Sequence, residues 1–125
     1  MVEDRVTDGE RIGQLFASEL TGLERGPLGS VAVTDAREAT PAPGGTTAFA
    51  VAFDGRQIGR TFLFPESMAV ELSGDAVRGA SVRERATGAD VDVAVSGGTT
   101  TITVESGAAV KRAVDALVAG LEARH

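Results

Sequence analysis

The 125 residues carry 18 acidic and 12 basic side chains, a formal net charge of −6, with one His and no Cys, Trp or Tyr. The charge opposes binding to nucleic-acid phosphates, and the missing Cys excludes disulfides, thiolate metal ligands and thiol nucleophiles. Five Phe are the whole aromatic complement, so the core must be aliphatic and stacking on nucleobases is a poor expectation.

A chain of this length has material for one core, which predicts a single domain over residues 1–125. Lys111 is the only Lys beside eleven Arg. That bias fits a GC-rich coding sequence, and the acid excess fits a salt-adapted cytoplasm. The acidic start, "MVEDRVTDGE", lacks the basic and apolar regions of a secretory signal. No apolar run nears the ~18 residues of a membrane span. A cytoplasmic protein without a membrane partner is the expectation.

The first predicted element is a helix over about Asp8–Thr21. Thr7 and Glu10 have the spacing of a capping box. Ile12, Leu15, Phe16, Leu20 and Leu23 fall on one helical face, and Gly22 is placed to close it. Gly9 and Gly13 each weaken this helix by roughly 1 kcal/mol relative to Ala. Ser30–Ala36 reads as a strand with Val31 and Val33 alternating. "REATPAPGG", Arg37–Gly45, has two Pro and two Gly in nine residues and predicts a mobile loop.

Thr46–Phe53 alternates Phe49, Val51 and Phe53 with three Ala, a strand with a bulky and a small apolar face. Asp54-Gly55 is a two-residue hairpin signal, followed by a strand over Arg56–Phe64 in which Gly59 predicts a bulge. The bulge leaves open which face Arg60 takes. Pro65 ends that strand. Ser67–Ser73 places Met68, Val70 and Leu72 at period two and reads as a strand, with a single helical turn as the competing reading. Ala80–Ala86, charged and poor in apolar residues, reads as an edge strand protected by its Arg and Glu.

Gly97-Gly98 as a two-residue turn sets a definite register by counting. Ser96 faces Thr99, Val95 faces Thr100, Val93 faces Ile102 and Val91 faces Val104. The Val and Ile side chains then share one face and leave Asp92, Ala94, Thr99, Thr101 and Thr103 on the other. Ser106 is placed to cap a last helix with Val110, Val114, Leu117, Val118 and Leu121 on one stripe and Lys111, Asp115 and Glu122 opposite. The predicted class is α+β: an N-terminal helix, an antiparallel sheet of five to seven strands, and a C-terminal helix packed on one face of it. This order is loosely similar to profilin-like, roadblock and small secretion-chaperone folds, which often act through protein contacts, although the second helix that the latter two place between strands is not evident.

The inventory for chemistry is thin. The sole His, His125, is the last residue, where chain ends fray, which argues against a His-based nucleophilic triad, and one imidazole is too few for a His-rich zinc site. Asp90 and Asp92, read as two apart on one strand, are weak candidates for a hard cation; the competing reading is solubility of an outer face. "APGGTT", Ala42–Thr47, has no P-loop Lys and opens a strand rather than a helix. The pairs Arg56 with Arg60 and Arg83 with Arg85 are candidates for contact with an anionic ligand or partner, or are simply solvated beside Glu66, Glu71 and Glu84. Lys111 with Asp115 reads as trim on the polar helix face. No cofactor is implied.

The expectation that follows is a non-enzymatic protein-interaction domain, self-associating as a homodimer. Gly120 with Ala113, Ala116 and Ala119 would let another helix approach the last one, or let that helix settle within its own domain. The alternative is a small-molecule module with an apolar pocket lined by Phe49, Phe53, Phe62 and Phe64 and Arg60 as its polar group. The weakest reading is a metal-dependent hydrolase using Asp90 and Asp92.

Overall fold

In the computed structural model, which describes residues 8–22, 29–86 and 88–124, Asp8 opens the first described helix, α1 (Gly9–Gly22). Its Oδ1 accepts the Glu10 and Arg11 backbone N–H groups at 2.8 and 3.4 Å. The cap is therefore Asp8, while Thr7 and Leu23, expected to take part at the two ends, lie outside the described residues. Ile12, Phe16 and Leu20 are fully buried.

The two helix glycines have a use that propensity alone does not express. The Gly9 N–H donates to the Pro65 carbonyl at 3.1 Å, and a Cβ on Gly9 would collide with the Phe64 and Ser67 carbonyls. A Cβ on Gly13 would lie 2.6 Å from Leu63 Cδ2. Both glycines let α1 press onto the sheet.

Among the described residues six antiparallel strands follow: β1 (Val31–Thr34), β2 (Thr46–Phe53), β3 (Arg56–Phe64), β4 (Ser67–Ser73), β5 (Val91–Ser96) and β6 (Thr99–Val104), in the spatial order β1-β2-β3-β4-β6-β5. Asp54 and Gly55 join β2 to β3 with φ of 55° and 79°, and Gly97 and Gly98 join β5 to β6 with 57° and 81°. Two successive left-handed residues make the turn whose twist matches that of its strands. The β5–β6 register is the one counted from the sequence, Val95 facing Thr100, Val93 facing Ile102 and Val91 facing Val104. Ser67–Ser73 is a strand, paired to β3 from Phe64–Ser67 to Gly59–Leu72.

The β2–β3 ladder slips twice, at Ala48 and between Gln57 and Gly59. The second slip is the bulge predicted beside Gly59, where a Cβ would strike the Glu71 carbonyl on β4. The 37–45 segment is tied at three points. The Arg37 N–H donates to the Ala48 carbonyl (3.0 Å), the Gly45 N–H to the Ala42 carbonyl (2.9 Å) and Thr46 Oγ1 to the Thr40 carbonyl (2.7 Å).

One element departs from its reading. Ala80–Ala86 does not form an edge strand; α2 spans Gly79–Arg85, and β5 is the sheet edge on that side. Val82 is the one residue of α2 that is buried. Too few apolar residues lie here to display a helical period, so the stretch carried no helix signal of its own. The helix is held by α3 (Val110–Arg124), where Gly120 leaves room for Val82 Cγ2 and for Val77 Cβ. The Arg78 N–H donates to the Gly120 carbonyl at 3.0 Å. A helix between strands is thus present.

A 3-10 turn, Gly107–Ala109, leads into α3, and Ser106 stands at its N-cap position without a side-chain cap bond. Val110, Val114, Leu117 and Leu121 are buried as the stripe requires, and Lys111, Asp115 and Glu122 are exposed. The small residues of α3 are used internally: Ala113 and Ala116 are fully buried and Gly120 receives α2. Arg124 Nη2 donates to the Gly74 carbonyl at 2.6 Å and Arg112 Nη2 to the Ala89 carbonyl, so two α3 arginines hold the connections on either side of α2. All three helices contribute to one core with a single face of the sheet: Phe49, Val51, Leu63, Met68, Val70, Leu72, Ile102 and Val104.

Candidate interaction surface

Because successive strand residues point to opposite faces, the residues between those core positions form the other face. Cross-strand pairing sets its rows. One row runs Thr34–Ala50–Arg60–Glu71–Thr101–Ala94, the next Thr47–Phe62–Ala69–Thr103–Asp92. None of these side chains belongs to the helix-side core. Arg60, Glu71, Asp92, Thr34 and Ala94 are exposed; Phe62, Phe64, Thr47, Thr101 and Thr103 are half-buried. Ala50 and Ala69 are buried, as short side chains are when longer ones stand beside them on a pleated face.

This face is unlike ordinary solvated sheet surface. In its two central rows only Arg60, Glu71 and Asp92 carry charge, and the first two oppose each other directly across the β3–β4 ladder. A shallow depression of about 420 Å³ lies over it, bounded by Gly44, Phe62, Phe64, Ala69, Thr101 and Thr103. By contrast, the outward sides of α1 and α3 present Glu10, Arg11, Gln14, Lys111, Asp115 and Glu122.

The chain matches the model of a family of unknown function, DUF7993, over residues 1–125. It belongs to that family. No curated protein and no solved structure matches it.

In this DUF7993 chain the candidate arginines scatter. Arg60 lies in the middle of the open face opposite Glu71. Arg56 sits at the β2–β3 turn, lining a separate cleft of about 220 Å³ with Phe53, Asp54 and Asp75. Arg83 and Arg85 are exposed on α2, not on a strand; two residues of helix set them about 200° apart, so they do not converge.

Asp90 and Asp92 are not neighbours on one strand face. β5 begins at Val91, and Asp90 is in the preceding turn with φ of 68°. Among the described residues no group of three or more His, Cys, Asp or Glu could hold a metal. The four Phe of the expected pocket divide between the faces. Phe49 is in the helix-side core with Phe53 packed against it, while Phe62 and Phe64 line the opposite depression.

A different cavity, of about 400 Å³, opens between α1, β2 and the 36–39 segment. Its floor is Ala17, Val33, Ala48, Phe49 and Leu63, and Glu10, Gln14, Arg37 and Glu38 stand around it. His125 lies outside the described residues, and no described helix is long and apolar enough to cross a membrane. Sequence reading named Arg60 but missed the face around it. The available signal was the run of Thr and Ala between core positions in β2, β4 and β6, which looks like ordinary solvent-side filling until the strand order places it in one patch.

Proposed function

We propose that this DUF7993 chain is a non-enzymatic protein-interaction domain that self-associates through the open face of its sheet. The supporting observation is the Thr- and Ala-rich central patch, with Phe62 half-buried in it and few charges, on the face opposite the helices. Interface cores are depleted in charge relative to other surface. Sedimentation at tens of micromolar tests the proposal. The native chain is expected to show twice its 12.7 kDa mass, Thr101→Arg to show the single mass, and Glu122→Arg on α3 to behave as native. Loss of association in the α3 variant with Thr101→Arg unaffected would put the contact on the helices instead.

A second reading, a small-molecule module, has its own support in the cavity beside α1. An apolar floor with a few polar groups around it is the usual form of a ligand site. Titration with an apolar fluorescent probe would show saturable binding that Ala17→Phe removes; identical titrations of the two chains would sink this reading.

A further inference from the structure

We infer that the occupant of the open face is a second copy of this chain, docked sheet to sheet about a two-fold axis running along the strands midway between β3 and β4. This rests on the interaction proposal and adds the geometry. In the order β1-β2-β3-β4-β6-β5, β3 and β4 are the central pair, so this axis lays β3 on β4 of the second copy, β2 on β6 and β1 on β5. No other axis along the strands superposes all six.

The residues meeting across that axis are complementary because each central cross-strand pair is unlike. Arg60 faces Glu71 in its own sheet, so rotation sets Arg60 over Glu71 of the second copy and Glu71 over its Arg60. Opposite charges meet twice. In the next row Phe62 faces Ala69, so the ring of each copy lies over the methyl of the other. The depression between Phe62, Ala69 and Thr103 is where that ring would lodge. Outward along the rows, Ala50 comes over Thr101 and Thr47 over Thr103, with no bulky residue against another. Packed sheets cross at about 30°, which displaces the corners and leaves these pairs near the axis in register.

The available area agrees. Six strands about 4.8 Å apart, with about seven residues each at ~3.3 Å, present roughly 650 Å² per copy, or about 1,300 Å² in all. That reaches the lower end of stable interfaces, which bury about 1,200–2,000 Å². A patch with a predominant charge would ask for a partner of opposite sign; at the centre of this one Arg60 and Glu71 stand where each meets the other across the axis, while Asp92 lies out on the edge strand β5.

The test is charge exchange between two variants. Arg60→Glu and Glu71→Arg each set like charges over one another in a homodimer, and each is expected to associate about 100-fold more weakly than the native chain. Mixed in equal amounts they form a heterodimer of native mass, because the two carboxylates of the first variant then meet the two guanidinium groups of the second. The double variant recovers the homodimer. Thermal melts identify a single variant that fails to fold; in that case Phe62→Ala with Ala69→Phe repeats the exchange by size. If Thr101→Arg abolishes the dimer but neither mixture re-forms one, the face is right and this two-fold is wrong. A native chain that stays monomeric, or a dimer untouched by Thr101→Arg, overturns both the arrangement and the proposal beneath it.

Discussion

The two faces of this sheet are made from the same strands and differ in nearly everything else. Toward the helices stand Phe49, Val51, Leu63, Met68, Val70, Leu72, Ile102 and Val104, all at or below 6% exposure. Away from them stand Ala50, Phe62, Ala69, Thr101 and Thr103 with one Arg–Glu pair. The helix side is packed until side chains and even Cβ atoms run out of room. The open side keeps residues that fit a pleated surface without a core to enter. The buried core lies on the first, and the contact proposed above lies on the second.

Substitutions can break or sharpen this contrast, with effects read in dilute solution where association does not contribute. Leu117→Asp should have the largest effect: an unpaired carboxylate at a fully buried α3 site would cost more than about 4 kcal/mol, leaving no cooperative thermal transition. Gly9→Ala comes next. Elsewhere in a helix that change stabilises by about 1 kcal/mol. Here the new methyl meets the Phe64 and Ser67 carbonyls, and a loss of about 2 kcal/mol or more in urea unfolding is expected. An unchanged midpoint would mean that α1 does not press on the β3–β4 turn.

A matched pair sharpens the comparison further. Thr61 is fully buried on the helix side and its Oγ1 has no hydrogen-bond partner among the described residues. Thr61→Val should therefore raise stability by about 1 kcal/mol. The same replacement at half-buried Thr103 on the open face should stay within about 0.5 kcal/mol. If the two shift alike, the faces are not as different as their packing implies. At the small end, Lys111→Ala, on an exposed site, should leave the melting curve within about 0.5 kcal/mol of native.

The elements that were legible were those whose signal is local. Asp54-Gly55 and Gly97-Gly98 announce their hairpins through backbone conformation, and with two turn residues fixed the β5–β6 register follows by counting. The stripes of α1 and α3 repeat over three turns or more, enough to show a helical period. Ala80–Ala86 has one residue to bury, Val82, and nothing periodic to show. Its helix exists because Gly120, far along the chain, leaves a space that Val82 fills. The glycines of α1 were visible only as propensity penalties, since the carbonyls they approach come from another element.

The candidate surface shows the same division. Arg60 stood out by type, but its face depended on where the ladder slips beside Gly59, and a slip of one residue exchanges the faces. Thr101 and Thr103 were placed opposite the core by the hairpin register alone. That Phe62, Ala69, Arg60 and Glu71 join them in one patch required the strand order.

By itself, then, the sequence determined the α+β class, both tight turns, the last hairpin's register and the buried stripes of the two long helices, because turn geometry and periodicity are properties of neighbouring residues. Tertiary structure alone decided the helical state of Gly79–Arg85, the use of Gly9, Gly13 and Gly120 as contact points, and the gathering of a sparsely charged patch on one side of the sheet. Each of those depends on free space and pairing between segments distant in the chain, for which no local pattern exists.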